Sequence, residues 1–581
     1  MNMMKKPLVV AMGLLCTGAA FANTAQTTQD GSNNVSDTDQ TGSGNTAYVY
    51  QLGNGNRADV DQTGQGITAR INTSATLDGN GDIQVEGAAN TNGSVQITQT
   101  NGGAAVSAAK SAIVVQDGVT GTGSTAPYDV VVDQSGATAK TALVNQLAGS
   151  NLATASVTQS GAGEHDARVD QRSTQGAGAT GYDVIVTQSG DGAANSAEVI
   201  QDNTNLSEAN VNQAGGGNRA DTRQFGGGTS SIDVDSVGTN AIAYAEQQST
   251  SNSDIVIDQR VGDGNDANVY QEGDTNFAEV IQILDAHDAD IDQSGMTNFA
   301  RVSQYGGVSN TADVTQSGMD NWTGIGQAGD TTIGNNTVTV TQSGNANNIL
   351  FEQRGNAGAG SNATATITQA GSNSQFTVYQ NANGGTGQTL TVTGTNLDTV
   401  ATYAYQDGGT HTATITQTNV TGGAGLIAPV FVEEYGFTGR GGTGAFDVSV
   451  VQRGNSDHGA TVDQVDTIDA VASVVQDGDF GAVATVDQSN AGNNLEAFVT
   501  QGGNSNTGVL TAEITQESEY NRGTIDQNGG DHLATITQSG LGTSGSWNEA
   551  LITQINGTGF SATITQQGGA GNSATITQSA L

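Results

Sequence analysis

Glutamine residues recur at strict intervals in the segment QEGDTNFAEVIQILDAHDADIDQSGMTNFARVSQ. They lie 11 residues apart, at Gln271, Gln282, Gln293 and Gln304. A side-chain amide is uncharged and carries both hydrogen-bond donors and an acceptor. The chemistry that this residue type offers at a fixed spacing is hydrogen bonding between identical groups. We therefore expect the elements that carry the glutamines to bring these amides together.

Each glutamine ends a repeated unit, Gln-x-Gly-x-x-Asn-x-Ala-x-Val-x-Gln, and similar units recur along nearly the whole chain. Asn, Ala, Val and Gln stand at alternate positions, so they share one face of a β-strand. The glycine comes two residues after the glutamine, where a turn needs a positive φ. Each unit predicts a strand of about six or seven residues and a turn of about four. Two units predict one rung of about 22 residues with two strands.

A single rung cannot bury its inner face, but rungs stacked about 4.8 Å apart can. Stacking places each Gln above another Gln and each Asn above another Asn. The amides then satisfy one another, which avoids about 1–3 kcal/mol for each buried polar group left unpaired. A charge in this thin space would be costly, which explains Gln rather than Glu. The sequence therefore predicts an all-β fold, a β-solenoid or cross-β stack of two-strand rungs.

The residues with a predicted role are structural, and we expect no catalytic, cofactor-binding or metal-binding residue. The amides expected to form the stacking ladder are Gln40, Asn45, Gln51, Asn56, Gln62, Gln271, Asn276, Gln282, Gln293, Asn298, Gln304, Gln316, Gln527, Gln538, Gln566, Asn572 and Gln578. The glycines expected in the turns are Gly42, Gly53, Gly273, Gly295, Gly529 and Gly568.

The first residues predict secretion. Residues 1–22 contain Lys5 and Lys6, then an apolar run, then Ala20, Phe21 and Ala22, which is typical of a signal peptide with cleavage after Ala22. The remainder, 23–581, is predicted to be one repeat solenoid. Its register is interrupted by irregular insertions near 63–128, 383–405 and 418–445.

Charge and composition exclude several classes of function. The chain has 57 acidic and 16 basic residues and a net charge of −41. Nucleic acid is not an expected partner, because phosphate binding needs a basic surface. No later segment is apolar enough to span a membrane as a helix. The five histidines are not paired at metal-ligand spacing, and no nucleophile motif stands out, so an enzyme is not expected.

The unit resembles the curlin repeat of the bacterial amyloid fibres called curli. The segments that carry the resemblance include QLGNGNRADVDQ (51–62) and QSGMTNFARVSQ (293–304). The resemblance implies a secreted subunit that stacks with itself, with other curlin subunits or with a nucleator. It also implies export through a curli-type outer-membrane pore to the cell surface of a Gram-negative bacterium. The chain departs from typical curlins in having several times more repeats.

The leading functional hypothesis is a structural protein that assembles head to tail into extracellular fibres for biofilm matrix and adhesion. The alternative is a monomeric extracellular β-solenoid adhesin that binds a surface or polysaccharide. Outward acids, as in ADVDQ (58–62), are a solvated face. A sharper hypothesis gives them a second role, because stacked like charges would slow premature assembly.

Overall fold

The computed structural model describes residues 22–580 apart from several stretches. These stretches are 74, 78–82, 87–89, 92–93, 101–109, 117–128, 148–152, 173–182, 307–308, 329–335, 357–362, 373–374, 384–387, 398–400, 408–410, 419–447, 454–457, 466–469, 479–480, 490–493 and 504–507. The predicted signal peptide therefore lies outside the described residues except for Ala22, and so does nearly all of the predicted insertion at 418–445.

The chain divides into two units, unit 1 at Met1–Ile281 and unit 2 at Gln282–Leu581. The strands that begin in unit 1 are β1 (Thr24–Ser32), β2 (Val35–Ser43), β3 (Thr46–Asn54), β4 (Arg57–Gln65), β5 (Thr68–Thr73), β6 (Ala75–Leu77), β7 (Ile83–Glu86), β8 (Asn90–Thr91), β9 (Ser94–Thr100), β10 (Lys110–Gln116), β11 (Val130–Gln134), β12 (Lys140–Gln146), β13 (Ala155–Gln159), β14 (His165–Arg172), β15 (Val184–Ser189), β16 (Asn195–Asp202), β17 (Glu208–Gly216), β18 (Arg219–Gly228), β19 (Ser231–Thr239), β20 (Ile242–Ser251), β21 (Asp254–Asp263), β22 (Asp266–Asp274) and β23 (Phe277–Ile283).

Unit 2 is built in the same way. Its strands are β24 (Asp288–Met296), β25 (Phe299–Tyr305), β26 (Thr311–Met319), β27 (Trp322–Ala328), β28 (Asn336–Asn345), β29 (Asn348–Asn356), β30 (Ala363–Ser372), β31 (Gln375–Asn383), β32 (Gln388–Leu397), β33 (Ala401–Asp407), β34 (His411–Thr418), β35 (Val448–Arg453), β36 (His458–Val465), β37 (Val471–Gly478), β38 (Ala482–Gln488), β39 (Glu496–Gly503), β40 (Leu510–Gln516), β41 (Asn521–Gly530), β42 (Leu533–Gln538), β43 (Asn548–Thr558), β44 (Ser561–Gln566) and β45 (Ser573–Ser579).

Successive strands alternate between two parallel sheets in each unit, so one rung contributes one strand to each sheet. In unit 2 the even-numbered strands pair with one another and so do the odd-numbered strands. In unit 1 one sheet contains β1, β3, β5, β10 and the even strands that follow, and the other contains β2, β4, β9 and the odd strands that follow. The small pair β6–β7 is antiparallel. The prediction of an all-β solenoid of two-strand rungs is confirmed.

The strand register keeps like residues on like residues. Pairing of β1 with β3 aligns Gln29 with Gln51, 22 residues apart, and pairing of β12 with β14 aligns Gln146 with Gln171, 25 residues apart. Extra residues are accommodated between the strands, because a one-residue slip within a strand would turn its inner side chains outward. The predicted 22-residue rung is therefore the shortest case, and the longer rungs have longer turns.

The core is thin and consists mainly of small and β-branched side chains. Ala58 and Val60 in β4 are 1% and 0% exposed, and Asp59 between them faces outward. The turn glycines have the conformation that the sequence predicts, with φ of 113° at Gly42. A Cβ at Gly42 would lie 1.8 Å from the carbonyl oxygen of Gly64 in the next rung, so this position also needs the close approach of two backbones.

No helix among the described residues is long and apolar enough to cross a membrane.

Candidate assembly interface: the stacked amide ladders

Buried glutamines form chains of hydrogen bonds in both sheets of unit 1. Each Nε2 donates to the Oε1 of the glutamine in the following rung, at 2.7–3.1 Å. One ladder contains Gln40, Gln62, Gln99, Gln134, Gln159, Gln188 and Gln213. The other contains Gln116, Gln146, Gln171, Gln201, Gln224, Gln247 and Gln271, and the pair Gln29 and Gln51 lies in the same sheet.

Unit 2 contains ladders of the same geometry. Their donor–acceptor distances run from 2.7 to 3.2 Å. In the odd-numbered strands the ladders are Gln282, Gln304, Gln327, Gln353 and Gln380, and Gln452, Gln476, Gln501, Gln527, Gln554 and Gln578. In the even-numbered strands they are Gln293, Gln316, Gln342 and Gln369, and Gln464, Gln488, Gln516, Gln538 and Gln566.

Most glutamines of the ladders also join the two sheets. The Nε2 of Gln62 in β4 donates to Gln99 along the stack and to the carbonyl oxygen of Thr46 in β3, at 3.1 Å. One hydrogen therefore serves the neighbouring rung and the other serves the opposite sheet. A carboxylate at this position would have no hydrogen to donate.

The asparagines use their amides differently from the glutamines. The backbone N–H of Asn56 donates to Oδ1 of Asn34 at 3.0 Å, and Nδ2 of Asn45 donates to the carbonyl oxygen of Gly64 at 3.2 Å. The sequence predicts a side-chain-to-side-chain stack at these positions. In the structure the side chains of Asn45 and Asn56 bond to the backbone of an adjacent turn, because a short side chain next to a turn reaches main-chain groups first. Side-chain amides do bond to each other at other rungs, where Asn321 Nδ2 donates to Oδ1 of Asn298 at 3.2 Å and Asn548 Nδ2 donates to Oδ1 of Asn521 at 3.0 Å.

The other asparagines predicted from the sequence also take part in hydrogen bonds between or within rungs of the two units. Asn298 accepts the backbone N–H of Asn321 at 3.1 Å, and Asn276 donates to the carbonyl oxygen of Glu272 at 3.0 Å. Asn572 donates from its backbone to Oδ1 of Asn548 at 3.1 Å. The other predicted turn glycines also have positive φ, at Gly53, Gly273, Gly295, Gly529 and Gly568.

The sequence pattern did not reveal where the glutamine ladders are interrupted. Ser236 takes the place of a glutamine between Gln213 and Gln259, and its Oγ donates to Oε1 of Gln259 at 2.9 Å. Gly394 aligns with Gln369 in the same way. In both cases the residue that replaces the glutamine is visible in the sequence. It can be recognised as an interruption of a ladder only when the neighbouring rungs are known.

Sequence reasoning also missed a stack of buried basic side chains in unit 1. Lys110, Lys140 and His165 align with one another at the asparagine position, and each is at most 2% exposed. Lys140 Nζ donates to the carbonyl oxygens of Gly161 at 3.1 Å and Gly163 at 2.9 Å. Burial, with a smaller contribution from Lys140, lowers the pKa of Lys110 to about 8.

Spacing alone does not mark this stack. Lys140 comes six residues after Gln134 and Asn195 comes seven residues after Gln188, whereas Asn45 comes five residues after Gln40. Lys140 Nζ and Asn195 Nδ2 both donate to carbonyl oxygens of a turn, so the length of the turn does not select the lysine. The signal in the sequence is the lysine itself at the asparagine position.

Outward-facing aspartates also align from rung to rung. Asp37 aligns with Asp59, and Asp39 aligns with Asp61. Burial raises the pKa of Asp61, and the neighbouring Asp59, Asp39 and Asp37 raise it further. Among the residues that the structure describes, no group of three or more His, Cys, Asp and Glu side chains could hold a metal ion.

The fold and its ladders define a parallel β-solenoid with in-register rungs. The family model of the curlin associated repeat matches four regions of the chain, at 37–64, 262–306, 335–371 and 503–540. These four regions are therefore similar to the curlin associated repeat, and the resemblance to the curlin-repeat family is confirmed. No curated protein matches the sequence.

Proposed function

We propose that this chain is a secreted structural protein that assembles into extracellular cross-β fibres by stacking its rungs on those of other copies. The observation that carries the proposal is that neighbouring rungs are joined by groups of the same kind. A rung offers its neighbour a glutamine amide, a strip of Ala and Val or Ile, and a strand edge. Because most rungs offer the same groups, a rung of another copy could be received in the same way.

The ladders have a direction that favours head-to-tail stacking. Every Gln–Gln bond described above runs from Nε2 of one rung to Oε1 of the next rung along the chain, as from Gln40 to Gln62 and from Gln538 to Gln566. A second copy stacked in the same orientation would continue this order of donor and acceptor. A copy stacked in the opposite orientation would bring donors against donors or acceptors against acceptors.

The strand β45 supports this reading. Its inner residues Ala574 and Ile576 are half-buried, whereas Ala550 and Ile552, with which they align in β43, are 2% and 0% exposed. A further rung would cover the apolar surface that remains accessible on β45. Covering it would contribute roughly 25 cal/mol for each Å² of apolar surface removed from water.

The remaining assignments follow from this function. The role would be structural rather than enzymatic, at the cell surface of a Gram-negative bacterium and within a biofilm matrix. Other curlin subunits or a nucleator would be fibre partners, and a curli-type outer-membrane pore would export the chain. The acidic composition, with a net charge of −41, would keep single copies apart before assembly begins.

The test is refolding of residues 23–581 from denaturant at micromolar concentration, followed by thioflavin fluorescence and electron microscopy. We expect unbranched fibres whose diffraction shows the spacing of about 4.8 Å between stacked strands. A soluble, β-rich monomer that stays monomeric on seeding would contradict the proposal and favour the surface-binding adhesin.

A further inference from the structure

One sheet of unit 2 carries a regular array of threonines on its outer face. Three columns of threonines run across paired strands from β26 to β38, and we call these residues the threonine array. The columns are Thr311, Thr337, Thr364, Thr389 and Thr412; Thr339, Thr366, Thr391, Thr414, Thr461 and Thr485; and Thr315, Thr341, Thr368, Thr393 and Thr416.

The register places these side chains in rows as well as columns. Strand β30 contributes Thr364, Thr366 and Thr368, and the neighbouring β32 contributes a threonine opposite each of them. Between them, Ala365 and Ile367 point inward and are 1% and 0% exposed. The alternation of threonine with a buried residue thus makes the outer face uniform without changing the core.

The threonine array is open to solvent and carries no charge. All of its side chains are exposed or half-buried. Acidic residues lie only at its borders, where Asp313 aligns with Thr339 and Asp463 aligns with Thr416. The hydroxyl of Thr339 donates to Asp313 at 3.5 Å. An uncharged surface of this extent is unexpected in a chain with 57 acidic residues.

The array presents its methyl and hydroxyl groups in a fixed, two-dimensional lattice. Its periods are about 4.8 Å between neighbouring strands and about 6.7 Å between alternate residues of one strand. Threonine is branched at Cβ, so its χ1 angle has few accessible rotamers and the groups keep their direction. Side-chain ladders of this kind also help a sheet to stay flat.

A surface that is periodic in two directions fits a ligand that is itself periodic. An ion would need charged or converging ligands, which the array lacks. Oxygen atoms joined by hydrogen bonds of about 2.75 Å in a tetrahedral network lie about 4.5 Å from their second neighbours, and pairs of puckered layers repeat about every 7.3 Å. Both periods of the array lie within about a tenth of these two distances.

We propose that the threonine array is an ice-binding surface, which holds the outermost water layer of an ice crystal against its methyl and hydroxyl groups. The hydroxyls replace water molecules of the lattice as donors and acceptors. The methyl groups fill the spaces between water molecules. Each contact is weak, but all sixteen threonines engage one crystal plane together, so dissociation requires breaking many contacts at once.

Threonine is also favoured on any half-exposed strand, so the test measures ice binding directly. The test is the inhibition of ice growth by soluble, refolded 23–581, measured as thermal hysteresis and as inhibition of ice recrystallisation. We expect the wild-type protein to stop crystal growth within an undercooled interval. Absence of both effects in the wild-type protein would overturn the proposal.

Two variants and a control locate the activity. Thr391→Lys places a long charged side chain at the centre of the array and is expected to abolish the hysteresis. Thr500→Lys is the matched control, because Thr500 is exposed on the other sheet of unit 2 between Val475 and Asp526, and it is expected to keep the activity. The triple variant Thr366→Ala, Thr391→Ala and Thr414→Ala removes hydroxyls without adding bulk.

The measurements separate ice binding from a role of the array in contacts between copies. Circular dichroism and thermal unfolding establish that each variant is folded, and the alanine variant serves if Thr391→Lys does not fold. If folded Thr391→Lys keeps full hysteresis but changes the lateral association of fibres, the array is a contact surface between copies and ice binding is excluded. Failure of the wild-type protein to form fibres leaves this test intact, because ice growth is measured on soluble protein.

Discussion

Strands β18 and β20 of unit 1 and strands β30 and β32 of unit 2 differ on their outer faces. In β18 the outward residues are Arg219, Asp221 and Arg223, and Arg223 pairs with Asp221 at 2.8 Å and lies over the ring of Tyr244 in β20. In β30 the outward residues that precede Gln369 are all threonine. The inner positions of both strand pairs nevertheless hold buried residues in alternation, and both align strand on strand.

The difference shows that the two faces of a rung are under separate constraints. The inner face must match the next rung in size and hydrogen bonding, because it is enclosed on all sides. The outer face needs only to tolerate water and its cross-strand neighbours. A solenoid can therefore keep one fold while β18 presents an ion pair and β30 and β32 present an uncharged lattice.

A charge placed at a buried glutamine should destabilise both units to the same extent. This is the largest change in stability that we expect. Gln159→Glu in unit 1 and Gln501→Glu in unit 2 each replace a fully buried amide that donates to the next glutamine at 2.8 Å. Each should lower the free energy of unfolding by about 3–5 kcal/mol, because the carboxylate loses its donor and is desolvated. Urea unfolding monitored by circular dichroism measures it.

The outward neighbour of each glutamine is the control. Thr158→Glu and Thr500→Glu place the same carboxylate one residue earlier, on the outer face. These variants should change the free energy of unfolding by less than about 0.5 kcal/mol. Equal losses for inner and outer variants would refute the separation of the two faces.

The turns should be equally intolerant in both units. A Cβ at Gly42 would lie 1.8 Å from Gly64 O, and one at Gly295 would lie 2.1 Å from Gly318 O. Gly42→Ala and Gly295→Ala should each cost roughly 2–3 kcal/mol, since both strain and close contact oppose the side chain. Gly66→Ala is the control, because Gly66 has φ of +68° but nothing within 4 Å of its added Cβ.

The thermal unfolding midpoints of these three variants show whether the close approach of rungs adds to the effect of the positive φ. Gly66→Ala should lose only about 1 kcal/mol from the left-handed backbone. If it is as unstable as Gly42→Ala, then positive φ alone explains the glycines, and the close approach of rungs contributes nothing.

The inner pattern was readable from the sequence because its cause is local. Alternation of Ala, Val and Gln fixes the strand, and the glycine fixes the turn, so the fold class and the glutamine positions follow from single units. The pairing of β5 with β10 was not readable, because 36 residues separate the end of one strand from the start of the next. The threonine array was missed for the same reason, since its columns exist only once the register is known.

The buried Lys110 should make the stability of unit 1 depend on pH. Because the pKa of Lys110 is lowered from its ordinary value to about 8, the unfolded chain binds the proton more tightly than the folded chain. The stability of unit 1 should therefore rise as the pH increases from about 8 toward the ordinary pKa of about 10.5. The gain in the free energy of unfolding should be about 2 kcal/mol at most, because solvent screening reduces the effect of such a pKa shift.

Lys110→Met isolates this contribution. The variant keeps a long side chain but has no charge to desolvate, so its free energy of unfolding should rise less between pH 8 and 10 than that of the wild-type protein. Burial also lowers the pKa of Lys140, which remains in the variant and supplies the rest of the rise. Parallel pH profiles for the two proteins would mean that the Lys110 ammonium is as well solvated in the folded chain as in the unfolded one.

The outward aspartates of unit 1 should affect the rate of assembly more than stability. Burial and the neighbouring carboxylates raise the pKa of Asp61, so its contribution to stability is full below the ordinary pKa and is lost as the pH rises through the raised value. If stacked carboxylates delay assembly, the lag before fibre growth should be shortest at acidic pH and longest at neutral pH. Changing Asp37, Asp39, Asp59 and Asp61 together to Asn should shorten the lag at pH 7 and weaken its dependence on pH.

Thioflavin time courses at pH 4 and pH 7 test this idea, with Asp526→Asn in unit 2 as a single-site control away from the stacked set. The four-residue variant keeps the size and shape of every side chain, so a shorter lag would arise from charge alone. An unchanged lag at pH 7 would leave these acids as a solvated surface. The outer face of unit 1 would then differ from the threonine array in composition but would have no role in the timing of assembly.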